Sequence, residues 1–348
     1  MNIDGIKIKT INLSNPREKL KIKNFLEHQD ISLEADVEYS IGLYDEMNLV
    51  GTGSLSGKVL KCIAVDSNYQ GAGLSNMIVS HLVSEAYFRG NTHLFIYTKQ
   101  INLNMFRDMW FYKIEEVKDQ VVLLENDQNG INKYIESLSK YKKDGKIISS
   151  IVMNCNPFTM GHKYLIEKAA LDSDFVHVFI VWEDKSIFPN NVRYNLVKEG
   201  TDHLSNVMIH KGDEYIISSS TFPSYFLKES SDIVRIHAEL DIKIFAKYIA
   251  PSLGINRRYI GEEPYCLVTR EYNEVMKEEF PKFNIDLVEV ARVKANNTAI
   301  SASRVREIIR NGDLELLKNI VPLSTYEYLL SEDGQEIVDK IQSTNLKN

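Results

Sequence analysis

The chain has 348 residues, enough for two domains that each bury a sizeable core. Hydrophobic residues make up 44%, ordinary for globular protein, and 48 acidic against 41 basic side chains leave a net charge of -7. That balance argues against general nucleic-acid binding, which wants a basic face, and an anionic substrate must be held by a local cluster of positive groups.

In chain order, the first half reads as α+β. Tyr39 to Tyr44 and Leu49 to Leu55 predict a hairpin, and Leu60 to Val65 another strand. Asn76 to Tyr87 has helical period, His93 to Thr98 is strand-like, and a helix is expected near Asn102 to Met109. Ile131, Tyr134, Ile135 and Leu138 share a helical face that closes this part. The lysine-rich SKYKKDGKI, Ser139 to Ile147, with its D-G turn signal, marks the seam. Domains are therefore expected at 1–143 and 144–348.

The second half alternates β and α as a parallel sheet does. Strands are expected at Ile147 to Met153, Phe175 to Trp182, Asn206 to His210, Ile233 to Ile236, Arg258 to Ile260 and Asp286 to Val290, with a helix at Gly161 to Ala170. The fold class is α/β, a doubly wound sheet that places ligands at the carboxyl ends of its strands. No internal repeat or low-complexity tract is visible. Cys62, Cys155 and Cys266 are far apart without a C-x-x-C pair, so neither structural zinc nor a disulfide framework is indicated, and Cys155 reads as a small buried hydrophobe. The N-terminus lacks a signal-peptide stretch and no apolar run suits a bilayer, so a soluble cytoplasmic protein is expected. The tail after Gln342 is polar and expected to fray.

The first strand of the second half runs into NCNPFTMGHKYLIEKAA. Asn156-Pro157 breaks the strand and Thr159-Met160-Gly161-His162 opens a helix. A helix start offers unpaired N–H donors and a positive dipole end, which favours phosphate. Gly161 lets phosphate approach the backbone, His162 is placed to donate to its oxygens, and Thr159 supplies a hydroxyl. Asn156 and Phe158 flank the same turn and join the candidate ATP-binding set. Further on, ISASRVREIIRNGDLE lets Ser301 or Ser303 cap a helix, with Arg304 and Arg306 reaching for phosphates. Gly261, at a strand end, permits close approach to a nucleotide, and Glu262 and Glu263 beside it are candidates for ribose or a magnesium shell. Lys185 and Arg193 are candidate partners for an anionic substrate.

The first stretch resembles the H/T-x-G-H motif of the nucleotidyltransferase superfamily, and Ile300 to Arg306 resembles its I-S-x-T-x-x-R motif, with Ser303 where threonine is usual. The stretches WEDKSIFPNNVRYNLVKEGTDHLSNV, HAELDIKIFAKYIAPSLGI and RYIGEEPYCLVTREYNEVM are similar to the [citrate (pro-3S)-lyase] ligase family in particular. The resemblance implies an acid–thiol ligase that joins ATP and acetate into acetyl-adenylate and pyrophosphate. The acetyl group then passes to the thiol of a CoA-derived prosthetic group on the acyl carrier subunit of citrate lyase, releasing AMP. It implies His162, Thr159 and Arg306 as catalytic residues, ATP as substrate and magnesium as the triphosphate's counter-ion, with no resident metal site.

In the first half, Cys62-Ile63-Ala64-Val65 followed by Gln70-Gly71-Ala72-Gly73-Leu74-Ser75 resembles the acyl-CoA loop of GNAT acetyltransferases. The resemblance implies a pyrophosphate cradle of backbone amides at a helix start. Two departures stand out: Ser75 replaces the usual Gly or Ala, and in MFRDMWF, Met105 to Phe111, Phe106 takes the place of a tyrosine general acid and Trp110 that of a common glycine. Phenylalanine has no proton to give, so the half is expected to bind a pantetheine-bearing group without transferring from it. Three alternatives stay open on sequence: an adenylyltransferase with a phosphorylated acceptor, a GNAT acetyltransferase with a regulatory nucleotide domain, and a ligand-sensing module.

Overall fold

A computed structural model describes residues 5–182, 186–216, 230–264, 266–295 and 298–343. These gather into two compact units, one of 5–134 with 230–240, the other of 135–216 with 241–343.

The first unit carries β1 (Ile6–Thr10), α1 (Pro16–Glu27), β2 (Tyr39–Asp45), β3 (Asn48–Ser56), β4 (Val59–Val65), α2 (Leu74–Phe88), β5 (Phe95–Lys99), α3 (Leu103–Arg107), β6 (Tyr112–Val117) and β7 (Val121–Glu125). Its seven strands lie in the order β1-β2-β3-β4-β5-β7-β6. All neighbours are antiparallel except β4 and β5, whose parallel pairing covers only Val59↔Phe95 and Leu60↔Ile96. From Lys61 and Tyr97 onward the two strands part. Leu74, Ile78, Leu82 and Ala86, on one stripe of α2, fill the core with Ile41, Leu43, Ile96 and Leu124. Gly53 makes this contact possible: a Cβ there would sit 2.3 Å from Ile78.

α4 (Gly130–Ser139) follows, and then the strands and helices of the second unit: β8 (Ile148–Met153), α5 (Met160–Leu171), β9 (Phe175–Ile180), α6 (Asn190–Gly200) and β10 (Val207–Lys211). Next come α7 (Ser230–Ile244), whose first residues belong to the first unit, α8 (Ala250–Leu253), β11 (Arg257–Gly261), α9 (Leu267–Glu279) and β12 (Asp286–Val290). A short hairpin, β13 (Lys294–Ala295) with β14 (Thr298–Ala299), precedes α10 (Ala302–Asn311), α11 (Leu323–Leu330) and α12 (Glu332–Ser343). The sheet order is β10-β9-β8-β11-β12, parallel throughout. The chain reverses its direction of winding between β8 and β11, which puts the ligand crevice at their carboxyl ends. β8 and β9 are buried almost end to end, as strands covered on both faces must be.

One expected strand is corrected. Ile233 to Ile236 lies inside α7. Four apolar-rich residues alone fit either period, but Ile236, Leu240 and Ile244 continue at helical spacing through good helix formers. The other expected strands and helices are found within about two residues of their limits, the usual uncertainty of an element's end.

Candidate active site

The turn after β8 is shaped by its sequence. Cys155 takes φ 53, and the Asn156-Pro157 peptide is cis. Thr159, in extended conformation, caps α5: its Oγ1 accepts the His162 N–H at 3.3 Å, and its own N–H donates to His162 Nδ1 at 3.1 Å. This reciprocal cap fixes the imidazole's orientation and tautomer. An Nδ1 that accepts leaves the proton on Nε2. Burial, and then the Arg292 guanidinium, pull the His162 pKa down to about 4, so at pH 7 the ring is a neutral donor. Phe158, fully enclosed, stacks behind it with ring centroids 6.2 Å apart.

The helix start has fewer spare donors than its sequence suggests. The Met160 N–H is taken by the Ile320 carbonyl at 3.0 Å, and those of Thr159 and His162 by the cap. Among the described residues, the Gly161 N–H alone of these four has no protein acceptor. A Cβ at Gly161 would meet Ile300 O and Thr159 Oγ1 at 3.6 Å, an ordinary contact, so the protein itself does not require glycine here.

That contact joins the two motifs. Ser301 caps α10 by accepting the Arg304 N–H at 3.2 Å, and Gly312, at φ 84, ends the helix. Arg306 then reaches back: its Nη1 donates to the Asn156 carbonyl and its Nη2 to Ser303 Oγ, the latter at 3.2 Å. Arg304 leans over the Thr298 carbonyl at 3.5 Å. Asn156 is thus a hub, because its side-chain oxygen also accepts the Phe188 N–H at 3.1 Å. Gly261 ends β11 with open space where a Cβ would lie, and its carbonyl is held by Asn273 at 3.1 Å.

Other expected residues fall differently. Arg193 is fully buried on α6. It donates to the carbonyls of Phe188 (3.0 Å), Asn154 (2.7 Å) and Val181 (2.7 Å) and to Asn154 Oδ1 (2.8 Å). A guanidinium so enclosed ties the ends of β8 and β9 to the loop beyond them and does not meet a solute. Lys185 lies outside the described residues. Glu263 is committed to Arg292 and to the Cys266 N–H (3.1 Å), whereas Glu262 is exposed. Cys155 is buried and its thiol pKa is pushed up by desolvation, as a small hydrophobe's would be. Sequence reasoning missed Arg292, which donates to the Glu262 carbonyl at 2.7 Å and whose charge reaches His162. It sits in VARVK, a run without motif character, and only the fold brings it to the site. Among the described residues no group of three or more His, Cys, Asp or Glu is placed to hold a metal.

In the first unit, Gly71 and Gly73 stand at φ 79 and 77 with nothing within 4 Å of the point a Cβ would occupy, and Gly73 precedes α2 without a side-chain cap. Gln70 and both glycines are exposed, Val65, Ala72 and Ser75 are half-buried, and Leu74 is buried. Phe106 is in the core, and Trp110, 75% exposed, has φ 66, the backbone geometry that glycine would supply.

Comparison with known proteins places the chain in a family. The family described as the citrate lyase ligase C-terminal domain matches residues 148–329. The chain is 41% identical over 321 residues to the [citrate [pro-3S]-lyase] ligase of Escherichia coli (strain K12), covering 91% of each chain. To the protein of that name from Klebsiella pneumoniae it is 40% identical over 313 residues, 89% of this chain and 92% of the other. Among solved structures, Escherichia coli ElaA aligns with 35% of this chain and 99% of its own at 10% identity, with a TM-score of 0.31, a likeness too low to carry a conclusion. On its identity to these relatives over nine tenths of its length, the chain belongs to the [citrate [pro-3S]-lyase] ligase family.

Proposed function

We propose that this chain activates acetate with ATP and acetylates the thiol prosthetic group of the citrate lyase acyl carrier subunit. In the first step an acetate oxygen attacks the α-phosphorus, the bond to the bridging oxygen breaks, and pyrophosphate leaves with the electron pair. In the second, the carrier thiolate attacks the acetyl carbon, AMP departs, and the thiol proton goes to solvent. The observation that carries the reading is the junction of the two motifs, Gly161 against Ile300 and Arg306 on Asn156.

Each residue has a physical role in the first step. Charge builds on the phosphate oxygens as pyrophosphate leaves, and fixed donors in a partly dry site stabilise it without reorganising. Gly161 N–H and His162 Nε2–H supply two such donors. A neutral imidazole keeps its proton, so His162 stabilises by hydrogen bonding and does not transfer a proton. Arg306 and Arg304 bring full charge, and Gly261 leaves room for the nucleoside. Magnesium would enter with ATP, as the triphosphate's counter-ion. The loop from Gln70 to Ser75 in the first unit, with its open glycines, would hold the pantetheine-bearing group.

The test is a product analysis with labelled acetate, ATP, magnesium and deacetylated citrate lyase. The expected result is one AMP and one pyrophosphate per acetyl group on the carrier. ADP and phosphate as products, or adenylate retained on the acceptor, would defeat the assignment.

A further inference from the structure

Several helices of this protein pair opposite charges one turn apart: Lys23 with Glu27, Arg89 with Glu85, Lys163 with Glu167 and Lys168 with Asp172. Like charges at that spacing on α1, Arg17 with Lys21 and Lys19 with Lys23, are exposed to water. On α10 they are not. Arg306 and Arg310 lie four residues apart, on one face and both half-buried. Among the described residues neither has a carboxylate within ion-pair distance. Arg306 is anchored on Asn156 and Ser303, whereas Arg310 has a buried Nε with no acceptor. Burial and the neighbouring Arg310 charge together hold the Arg306 guanidinium below its usual range.

Two adjacent cations withdrawn from water destabilise the protein that carries them. A last-turn arginine can serve the helix dipole, but that role is met by an exposed head group and needs no buried Nε. Side chains on a helix lean toward its N-terminus, so Arg310 projects toward Arg306 and the capped turn that Arg306 holds. A multiply charged anion spanning both guanidinium groups would supply the missing counter-charge.

We propose that Arg310 is a second binding residue for the leaving pyrophosphate, acting with Arg306. The inference rests on the ATP-dependent reaction above and extends it to a residue beyond the two motifs. The experiment uses the full chain and the variants Arg310→Gln, Arg310→Met and Arg310→Lys. It measures the unfolding temperature without ligand, the shift produced by inorganic pyrophosphate with magnesium, and the KM for pyrophosphate in ATP–pyrophosphate exchange.

Relief of the like-charge contact leaves the Gln and Met variants as stable as the parent, or more so, without ligand. Their pyrophosphate affinity falls on the order of tenfold to a hundredfold, the size of one charge-assisted contact. Lysine, a point charge without the fork, restores part of it. A merely structural arginine gives the opposite pattern: lower unfolding temperature with pyrophosphate binding intact, and that result overturns the proposal. Should the Gln variant fail to fold, the Met variant, which keeps the apolar stem, decides by the same KM. Loss of exchange in the parent chain, with an Arg310-dependent pyrophosphate shift retained, would count against the reaction and not against this residue.

Discussion

Gly161 separates a structural demand from a functional one. Its added Cβ would make ordinary contacts, and alanine is the better helix former by about 0.5–1 kcal/mol, so Gly161→Ala is expected to keep or slightly raise stability. A phosphate approaching the free Gly161 N–H would meet the new methyl, and activity should fall tenfold or more. Differential scanning calorimetry beside steady-state rates checks this, and a variant with unchanged kcat/KM would remove Gly161 from the site. The same scale shows what the sequence could tell. Thr159, His162 and Ser301 were legible because capping is local chemistry: the residue that caps and the amide it caps are three apart. Arg292 and Arg310 were not legible, because what distinguishes them is a neighbour or a missing partner set by the tertiary fold. Trp110 lies between these cases. The family pattern marked it as a departure, and its φ of 66 shows that the backbone kept the turn while the residue changed.

At the scale of elements, the site depends on how the ends of β8 and β9 are held. Arg193 closes four hydrogen bonds there from a fully buried position on α6. Arg193→Met would leave the buried Phe188 carbonyl and the partly buried carbonyls of Asn154 and Val181 without this donor, at up to about 1–3 kcal/mol for each group that water cannot reach. Urea denaturation should show a loss of several such kcal/mol, together with lower activity. Had Arg193 bound substrate alone, KM would rise while stability stayed level, and that outcome would restore the anion-binding expectation. Sequence could not separate these roles, because an arginine among polar residues in NNVRYN carries no mark of burial. The element types themselves were legible wherever a run was long or bounded by turns, as in β9 and α5. The run at Ile233 to Ile236 was too short for its period to choose strand or helix, and the continuation through Leu240 decided it.

At the scale of the whole molecule, the second unit buries a histidine pair beside its sheet. His177 Nδ1 and His210 Nε2 are 2.9 Å apart, with Phe179 stacked on His210 at 4.9 Å and Tyr141 edge-on at 5.5 Å. Burial holds both pKa values below the histidine range, with the charge of the partner adding to the effect on His177. The unfolded chain therefore takes up protons first as pH falls. Stability is complete above about pH 6.5 and is lost as pH drops toward the lowered folded values, each tenfold loss of proton affinity on folding being worth about 1.4 kcal/mol. The unfolding temperature should decline already between pH 6.5 and 5, before carboxylates protonate, and His210→Phe should flatten that decline. A profile level from pH 7 to 5 would contradict this. A parallel sheet with ligands at the carboxyl ends of its strands was foreseeable from alternating strand and helix signals, whereas the strand order that puts the crevice between β8 and β11 was not. The first unit's parting of β4 from β5 was not, since pairing length is absent from a strand's own pattern.

Acetate activation at the His162 turn is tested by ATP–pyrophosphate exchange with magnesium, with and without acetate, in the parent chain and in His162→Ala. Exchange is expected to require acetate and to fall about a hundredfold or more when the His162 donor is removed, the usual cost of one such transition-state contact. No exchange with acetate, or undiminished exchange in His162→Ala, would contradict it.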